Sequence, residues 1–276
     1  MLRVPLKPKY GLHGHPTIVA GAGSRVRAKG SQSDVISALT WPASGILTAI
    51  SADEVHLWAW PLQTVAEDLP AHIEILEPAE LERMRRFHFA ADRERYAVAH
   101  ANLRRILGGY LHQPAKQISF HANRFGKPEL AGNASSLHFS LSHSKSIAVL
   151  AVAHGLPLGV DVEEVRPIEP EVAATHFSAI ELSRLSQLTG DAWLDGFYRC
   201  WTRKEAILKA EGVGLHRALD SFDVSLLPGA PAELLRTRVR FLYPWKLYDE
   251  SPAPGTIGAL ATALGEPRIT CFSFHY

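Results

Sequence analysis

Cysteine is nearly absent from this chain: Cys200 and Cys271 are the only two in 276 residues. Two thiols cannot build a disulfide framework, which predicts a reducing compartment and a cytoplasmic protein. Long apolar runs are also missing. The longest, Ile147 to Ala153, is far too short to span a bilayer, and residues 2–14 lack the apolar centre of a secretory leader. Neither sign of charge dominates, with 29 Lys and Arg against 28 Asp and Glu, so nothing global points to nucleic acid or membrane. Acids are lacking from residues 1–33, where Arg3, Lys7, Lys9, Arg25, Arg27 and Lys29 stand among glycines. That composition predicts a loose N-terminal extension over residues 1–40. Gly21-Ala22-Gly23 is not a dinucleotide fingerprint, because Val26 stands where a third glycine is needed.

What is present reads as a globular α+β protein. Hydrophobic residues make up 46% of a chain long enough to bury a sizeable core. Val55 to Trp60 alternates as a strand does. Pro78 suits the first position of a helix, and a second helix is predicted over Asp92–Leu107, with Gly108-Gly109 as its stop. Gln117–His121 and Leu137–Leu141 read as strands around a turn at Gly126-Lys127-Pro128, and Ser146–Ala153 as a buried strand. Ser178 and Glu181 form a capping-box pattern. A long helix follows over Asp191–Glu211, ended by Gly212, and strand and turn dominate from Phe222 onward. The chain also repeats itself. Ile147, Leu150, Ala151, Ala153, Gly155 and Pro157 match Ile257, Leu260, Ala261, Ala263, Gly265 and Pro267 in step, and Glu80-Leu81 with Arg83 match Glu181-Leu182 with Arg184. The repeat predicts two similar subdomains, residues 41–157 and 158–276, with a cleft at their seam.

The second half opens on Gly159-Val160-Asp161-Val162-Glu163. In a strand, Val160 and Val162 enter a core while Asp161 and Glu163 share the opposite face, roughly 7 Å apart. Two like charges so placed repel, and the arrangement becomes favourable around a cation; hard oxygen ligands select Mg²⁺ or a similar ion. The plainer alternative is a solvated edge strand. On the long helix, Phe197, Trp201, Lys204, Glu205 and Leu208 share one stripe. A Lys–Glu pair among large apolar residues needs partners. Glu205 then reads either as a third ligand or as half of a surface pair with Lys209.

No His-Glu-x-x-His, cysteine cluster, phosphate-binding glycine loop or nucleophile elbow is present to compete. The motifs Phe125-Gly-Lys-Pro128, Phe139-Ser-Leu-Ser-His-Ser144, Gly159-Val-Asp-Val-Glu163 and Trp201-Thr-Arg-Lys-Glu-Ala206 with Lys209 occur in the order and spacing seen in one family. The chain resembles the 4′-phosphopantetheinyl transferases of the surfactin-synthetase-activating type, from about Glu54 to the C-terminus. The resemblance implies two α/β subdomains related by a pseudo-two-fold, with the active site at their interface. It implies transfer of the phosphopantetheine arm of coenzyme A to a serine of an acyl or peptidyl carrier protein, with release of 3′,5′-ADP. Asp161, Glu163 and Glu205 would hold Mg²⁺, with Mn²⁺ as an alternative. Glu205, directly or through a metal-bound water, would take the serine proton, and Lys209 would steady charge on the phosphates. Arg83, Arg95, Lys127, Pro128, Ser142, His143 and Lys209 would bind the coenzyme. Where many relatives carry a cation, about three residues before Arg83, this chain has Glu80, so either the register slips or another residue meets the 3′-phosphate. With both halves in one chain, a monomer is implied. A coenzyme A sensor or carrier-protein chaperone, and another Mg²⁺-dependent nucleotide enzyme, are the competing readings.

Overall fold

The computed structural model describes residues 39–43, 49–132, 136–263 and 265–274. Nearly all of the predicted N-terminal extension lies outside the described residues. At its end, Leu39 packs into the core and Thr40 donates to the Pro252 carbonyl.

The elements follow one order twice. The first half runs β1 (Glu54–Pro61), α1 (Leu69–Ile73), α2 (Pro78–Arg85), α3 (Ala90–Leu111), β2 (Phe120–Ala122), β3 (Pro128–Leu130), β4 (Leu137–Ser144) and β5 (Ile147–His154). The second runs β6 (Leu158–Glu164), α4 (Pro170–His176), α5 (Ala179–Leu185), α6 (Gly190–Glu211), β7 (Phe222–Val224), β8 (Leu234–Thr237), β9 (Lys246–Asp249) and β10 (Thr256–Thr262). Each half is thus a strand, three helices, a small hairpin and two further strands. In each, the last strand lies between the first and the one before it, all antiparallel: β1-β5-β4 and β6-β10-β9. The final strand, β11 (Arg268–Ser273), returns to the first sheet and pairs parallel with β1.

Period-two alternation sends each sheet's side chains to two cores. Trp58, Trp60, Leu150 and Val152 meet Val98, Leu103, Ile106 and Leu107 of α3. Val55, Leu57, Val149 and Ala151 point the other way and meet Leu158, Val160, Val162 and Leu260 of the second sheet. Ala259, Ala261 and Leu247 pack on Phe197, Ala206 and Leu208 of α6. The layers are therefore helix, sheet, sheet, helix. The in-step repeat misses this by one residue: Ala151 faces the partner sheet whereas its match Ala261 faces α6. A slip of one residue flips every side chain to the other face, and strands buried on both faces hide the slip from a reading of hydrophobicity.

One buried device occurs in both halves. Glu80 closes a capping box with Glu77 on α2 and accepts Arg104 Nε of α3 at 2.7 Å. Glu181 closes a capping box with Ser178 on α5 and receives Lys204 Nζ of α6 at 2.8 Å. Each cation also reaches backbone carbonyls, Arg104 that of Ile118 and Lys204 those of Leu219 and Phe222. A buried ion pair is tolerated when further hydrogen bonds support it, and both pairs have such bonds; Arg104 Nη2 meets only the Glu77 carboxylate, at 3.2 Å. Glu80 is therefore structural. Burial raises its pKa, but the His100 hydrogen bond and the Arg104 charge outweigh burial and hold it below the ordinary carboxylate value. Lys204, placed by the sequence on the stripe of Glu205, belongs instead to this scaffold pair.

Two boundaries differ from the sequence reading. The helix predicted to stop at Gly108-Gly109 continues to Leu111 and ends on His112, which takes the left-handed conformation. Gly108 is there for space: a Cβ on it would sit 2.6 Å from the Gln113 carbonyl oxygen. The turn at residues 123–127 joins β2 to β3, and Gln117 ends a single 3₁₀ turn rather than opening a strand.

Candidate functional site

β6 is the strand that places the acids. A Cβ on Gly159 would lie 2.1 Å from the Ala206 oxygen and 2.3 Å from the Ala210 nitrogen, so α6 rests backbone-on-backbone against β6 there. Only glycine permits that approach. It sets Lys209 down beside Asp161, two residues along the strand. Lys209 Nζ donates to Asp161 Oδ1 at 2.8 Å, with both side chains buried. Glu205 lies one helical turn before Lys209, so the two share a stripe of α6, and it is 2% exposed. Asp161 is fully buried and Glu163 is buried beside it. The cation bonded to Asp161 here is thus an ammonium of the chain itself. Among the described residues no group of three or more His, Cys, Asp or Glu side chains is gathered closely enough to hold a metal ion.

The acids are held from the other side by a row of serines that sequence reading caught only in part. β6 is an edge strand, and edge amides need partners. Ser140, Ser142 and Ser144, at alternate positions of β4, supply them: their Oγ atoms accept from the amides of Val160, Val162 and Glu164 at 3.1, 3.3 and 3.1 Å. Ser142 Oγ also donates to Asp161 Oδ1, and Ser144 Oγ to Glu163 Oε2, each at 2.8 Å. Each of those two hydroxyls uses both of its roles. The signal was in the sequence as serine at every second position of Phe139–Ser144, beside a strand of alternating acids.

A cavity of about 480 Å³ opens from this seam, within the usual range of about 300–1,000 Å³ for small-molecule sites. It lies between α2, α3, the β2–β3 turn and β4, and Lys209 closes its inner end. Of the predicted coenzyme residues, Arg83, Lys127, Pro128, Ser142, His143 and Lys209 line it. Arg95 does not, and is paired instead with Asp92 at 3.0 Å on a half-exposed helix face. Arg83 is half-buried, its guanidinium 5.7 Å from the Tyr96 ring centre, and burial lowers its pKa to about 10. Its Nε is buried with no hydrogen-bond partner among the described residues. Asn123 shapes the turn that presents Lys127: its Oδ1 accepts from the amides of Phe125 and Lys127 at 2.9 and 3.0 Å. Lys127 is buried, with Nζ donating to the Leu158 carbonyl at 3.2 Å. Burial, and then the nearby charge of Lys209, pull its pKa down to about 8.

Cations lining one cavity, Arg83, Lys127 and Lys209, mark a protein built for a ligand rich in phosphate. Comparison with known proteins is specific. Residues 157–264 match the 4′-phosphopantetheinyl transferase superfamily, and residues 60–155 match the family described as 4′-phosphopantetheinyl transferase, N-terminal. The two matches divide at the β5–β6 connection. The chain is 36% identical to the 4′-phosphopantetheinyl transferase HetI of Nostoc over 81% of this chain and 94% of that protein. It is 32% identical to the 4′-phosphopantetheinyl transferase Sfp of Bacillus subtilis over 58% of this chain and 70% of Sfp. It is 30% identical to the human L-aminoadipate-semialdehyde dehydrogenase-phosphopantetheinyl transferase over 69% of this chain and 66% of that protein. The chain belongs to the 4′-phosphopantetheinyl transferase superfamily. Among the described residues no helix is long and apolar enough to cross a membrane.

Proposed function

We infer that this protein transfers the 4′-phosphopantetheine arm of coenzyme A to a serine of an acyl or peptidyl carrier protein and releases 3′,5′-ADP. Beyond family membership, one observation carries the reading: a cavity lined by Arg83, Lys127 and Lys209, the last of which is bonded to the buried Asp161. Coenzyme A bears a pyrophosphate and a 3′-phosphate, and cations in a dry cavity bind such groups strongly. Arg83 and Lys127 would hold the phosphates of the nucleotide end, with Pro128, Ser142 and His143 shaping the walls. Arg95 would act, if at all, from outside the cavity.

The donor chemistry fits a hard divalent cation. Asp161, Glu163 and Glu205 are three buried carboxylates on β6 and α6; they are not gathered closely enough to hold an ion as they stand, but oxygen donors with more than one negative charge suit Mg²⁺ or Mn²⁺. These three would hold the ion, which supplies neutralisation of pyrophosphate charge when bound. The chain's own groups do the rest. Glu205 accepts the proton of the carrier serine as its Oγ bonds to the β-phosphorus. The bond from that phosphorus to the 3′,5′-ADP oxygen breaks, and Lys209 steadies the charge that collects on the leaving phosphate. The ordered serines keep Asp161 and Glu163 from turning away.

The two halves are related, on this reading, by a pseudo-two-fold, with residues 41–157 and 158–276 as subdomains and the active site at their seam. The doubled order of elements and the doubled Glu–cation pair support it. A single chain that carries both halves works as a monomer in the cytoplasm. The test is incubation of an apo carrier protein with the enzyme, coenzyme A and Mg²⁺, followed by intact-mass measurement. A gain of one phosphopantetheine arm is expected. No gain on any carrier, with coenzyme A still bound, would leave a coenzyme-binding protein.

A further inference from the structure

Residues 234–248 contain no acid, and they carry Arg236, Arg238, Arg240 and Lys246. Three of the six exposed large apolar side chains among the described residues fall in the same stretch: Leu235, Leu242 and Tyr243, at 41, 75 and 37% exposure. Exposed apolar side chains interspersed with basic ones along a single segment mark an interaction surface more than they mark ordinary surface. The stretch is also firmly anchored. Phe241 packs edge-on to Phe222, with the Arg217 guanidinium 4.7 Å from its ring centre. Trp245 is buried, and its Nε1 donates to Glu211 Oε1 at 2.6 Å. The amide of Leu242 donates to that same oxygen at 3.0 Å, and Arg217 lies 3.3 Å from the other Glu211 oxygen. A buried carboxylate at the end of α6 therefore fixes the backbone of the residue whose apolar side chain stands out in water. Burial of an apolar side chain of this size is favourable, so the outward placement of Leu242 calls for a partner.

The location points to the occupant. Glu211 is two residues beyond Lys209, and the next residue, Gly212, accepts from Asn123 Nδ2 of the cavity-lining turn at 3.1 Å. The basic–apolar segment and the coenzyme cavity thus flank the same end of α6. We propose that residues 234–248 are a docking surface for the carrier protein, and that they take a face of it with acidic side chains around an apolar centre. Leu242 and Tyr243 fill the centre; Arg238, Arg240 and Lys246 form the rim, while Arg236 is partly spent on Asp223 at 2.6 Å. The proposal rests on the transfer reading only for the identity of the partner.

The test combines Arg238→Glu, Arg240→Glu and Leu242→Ser in the full chain. Calorimetry measures binding of an acyl carrier protein whose reactive serine is replaced by alanine, so turnover is not needed. Carrier affinity should fall at least tenfold and the carrier KM should rise in parallel, while coenzyme A affinity stays unchanged. If no carrier is ever modified but the affinity loss is seen, the transfer reading fails and the docking surface stands. Unchanged carrier affinity overturns the proposal. So does unchanged carrier affinity together with lost binding to phosphatidylserine–phosphatidylcholine vesicles, which would assign the segment to a lipid surface.

Discussion

Lys127→Met should make the ligand-free protein more stable. Lys127 is held in a buried place where its pKa is about 8 against an ordinary 10.5. The unfolded chain therefore binds the proton more tightly than the folded one. With each pKa unit worth about 1.4 kcal/mol, the burial of the charge weakens the fold by about 3 kcal/mol at neutral pH. That penalty is fully present below about pH 8 and fades as pH rises from there toward 10.5, where both states are neutral. Methionine fills much the same space without charge. It forgoes the bond to the Leu158 carbonyl, worth about 1 kcal/mol. The net expectation is a gain of about 2 kcal/mol near pH 7, read from urea midpoints. The advantage over wild type should shrink steadily in the same titration at higher pH. Coenzyme A affinity should drop roughly tenfold to hundredfold, the worth of a hydrogen bond to a charged group. A variant less stable than wild type at neutral pH, or an advantage that ignores pH, would refute the reasoning. The lysine would then be comfortable where it sits, and its place in the cavity would need another explanation.

Two further outcomes test the seam. Asp161→Ala should abolish transfer and also lower the stability of the metal-free protein by about 3 kcal/mol, because it removes the carboxylate bonded to the buried Lys209 ammonium; adding Lys209→Met should restore most of the stability and none of the activity, and a stable, inactive single variant would argue against that ion pair. Gly159→Ala should destabilise by more than about 3 kcal/mol, because backbone atoms of α6 occupy the place of the new methyl; an unchanged thermal midpoint would mean that α6 is free to lift.

The Asp161 outcome departs from what the sequence alone suggested. Alternating valines and acids made the strand and its two faces legible, and helical spacing put Glu205 and Lys209 on one stripe. Repulsion within the acid cluster then argued that replacing Asp161 or Glu205 by alanine would leave the fold largely intact. The structure reverses this for Asp161, because a lysine from a segment 48 residues away bonds to it. Long-range partners of this kind leave no periodic signal. The same limit hid the pairing of Lys204 with Glu181, although both residues were singled out. Glycine was also ambiguous: Gly212 ends its helix in the left-handed conformation, whereas Gly108 sits within one for lack of room. The return of β11 to the first sheet was unreadable, since nothing in six residues names a strand 214 positions earlier as neighbour.

The first strand of each half turns its alternate side chains toward its own long helix. In β1 these are His56, Trp58 and Trp60, with His56 Nδ1 2.6 Å from the Tyr110 hydroxyl of α3; in β6 they are Gly159, Asp161 and Glu163. One copy of the frame is thus mainly aromatic and one is charged. Attempts to harden this protein should therefore begin beneath α3, around Trp58 and Trp60, leaving the buried Glu80–Arg104 pair untouched. Trp60 is the natural first target, because its indole nitrogen is buried with no hydrogen-bond partner among the described residues, and a hydrocarbon side chain of similar volume would forgo no hydrogen bond there.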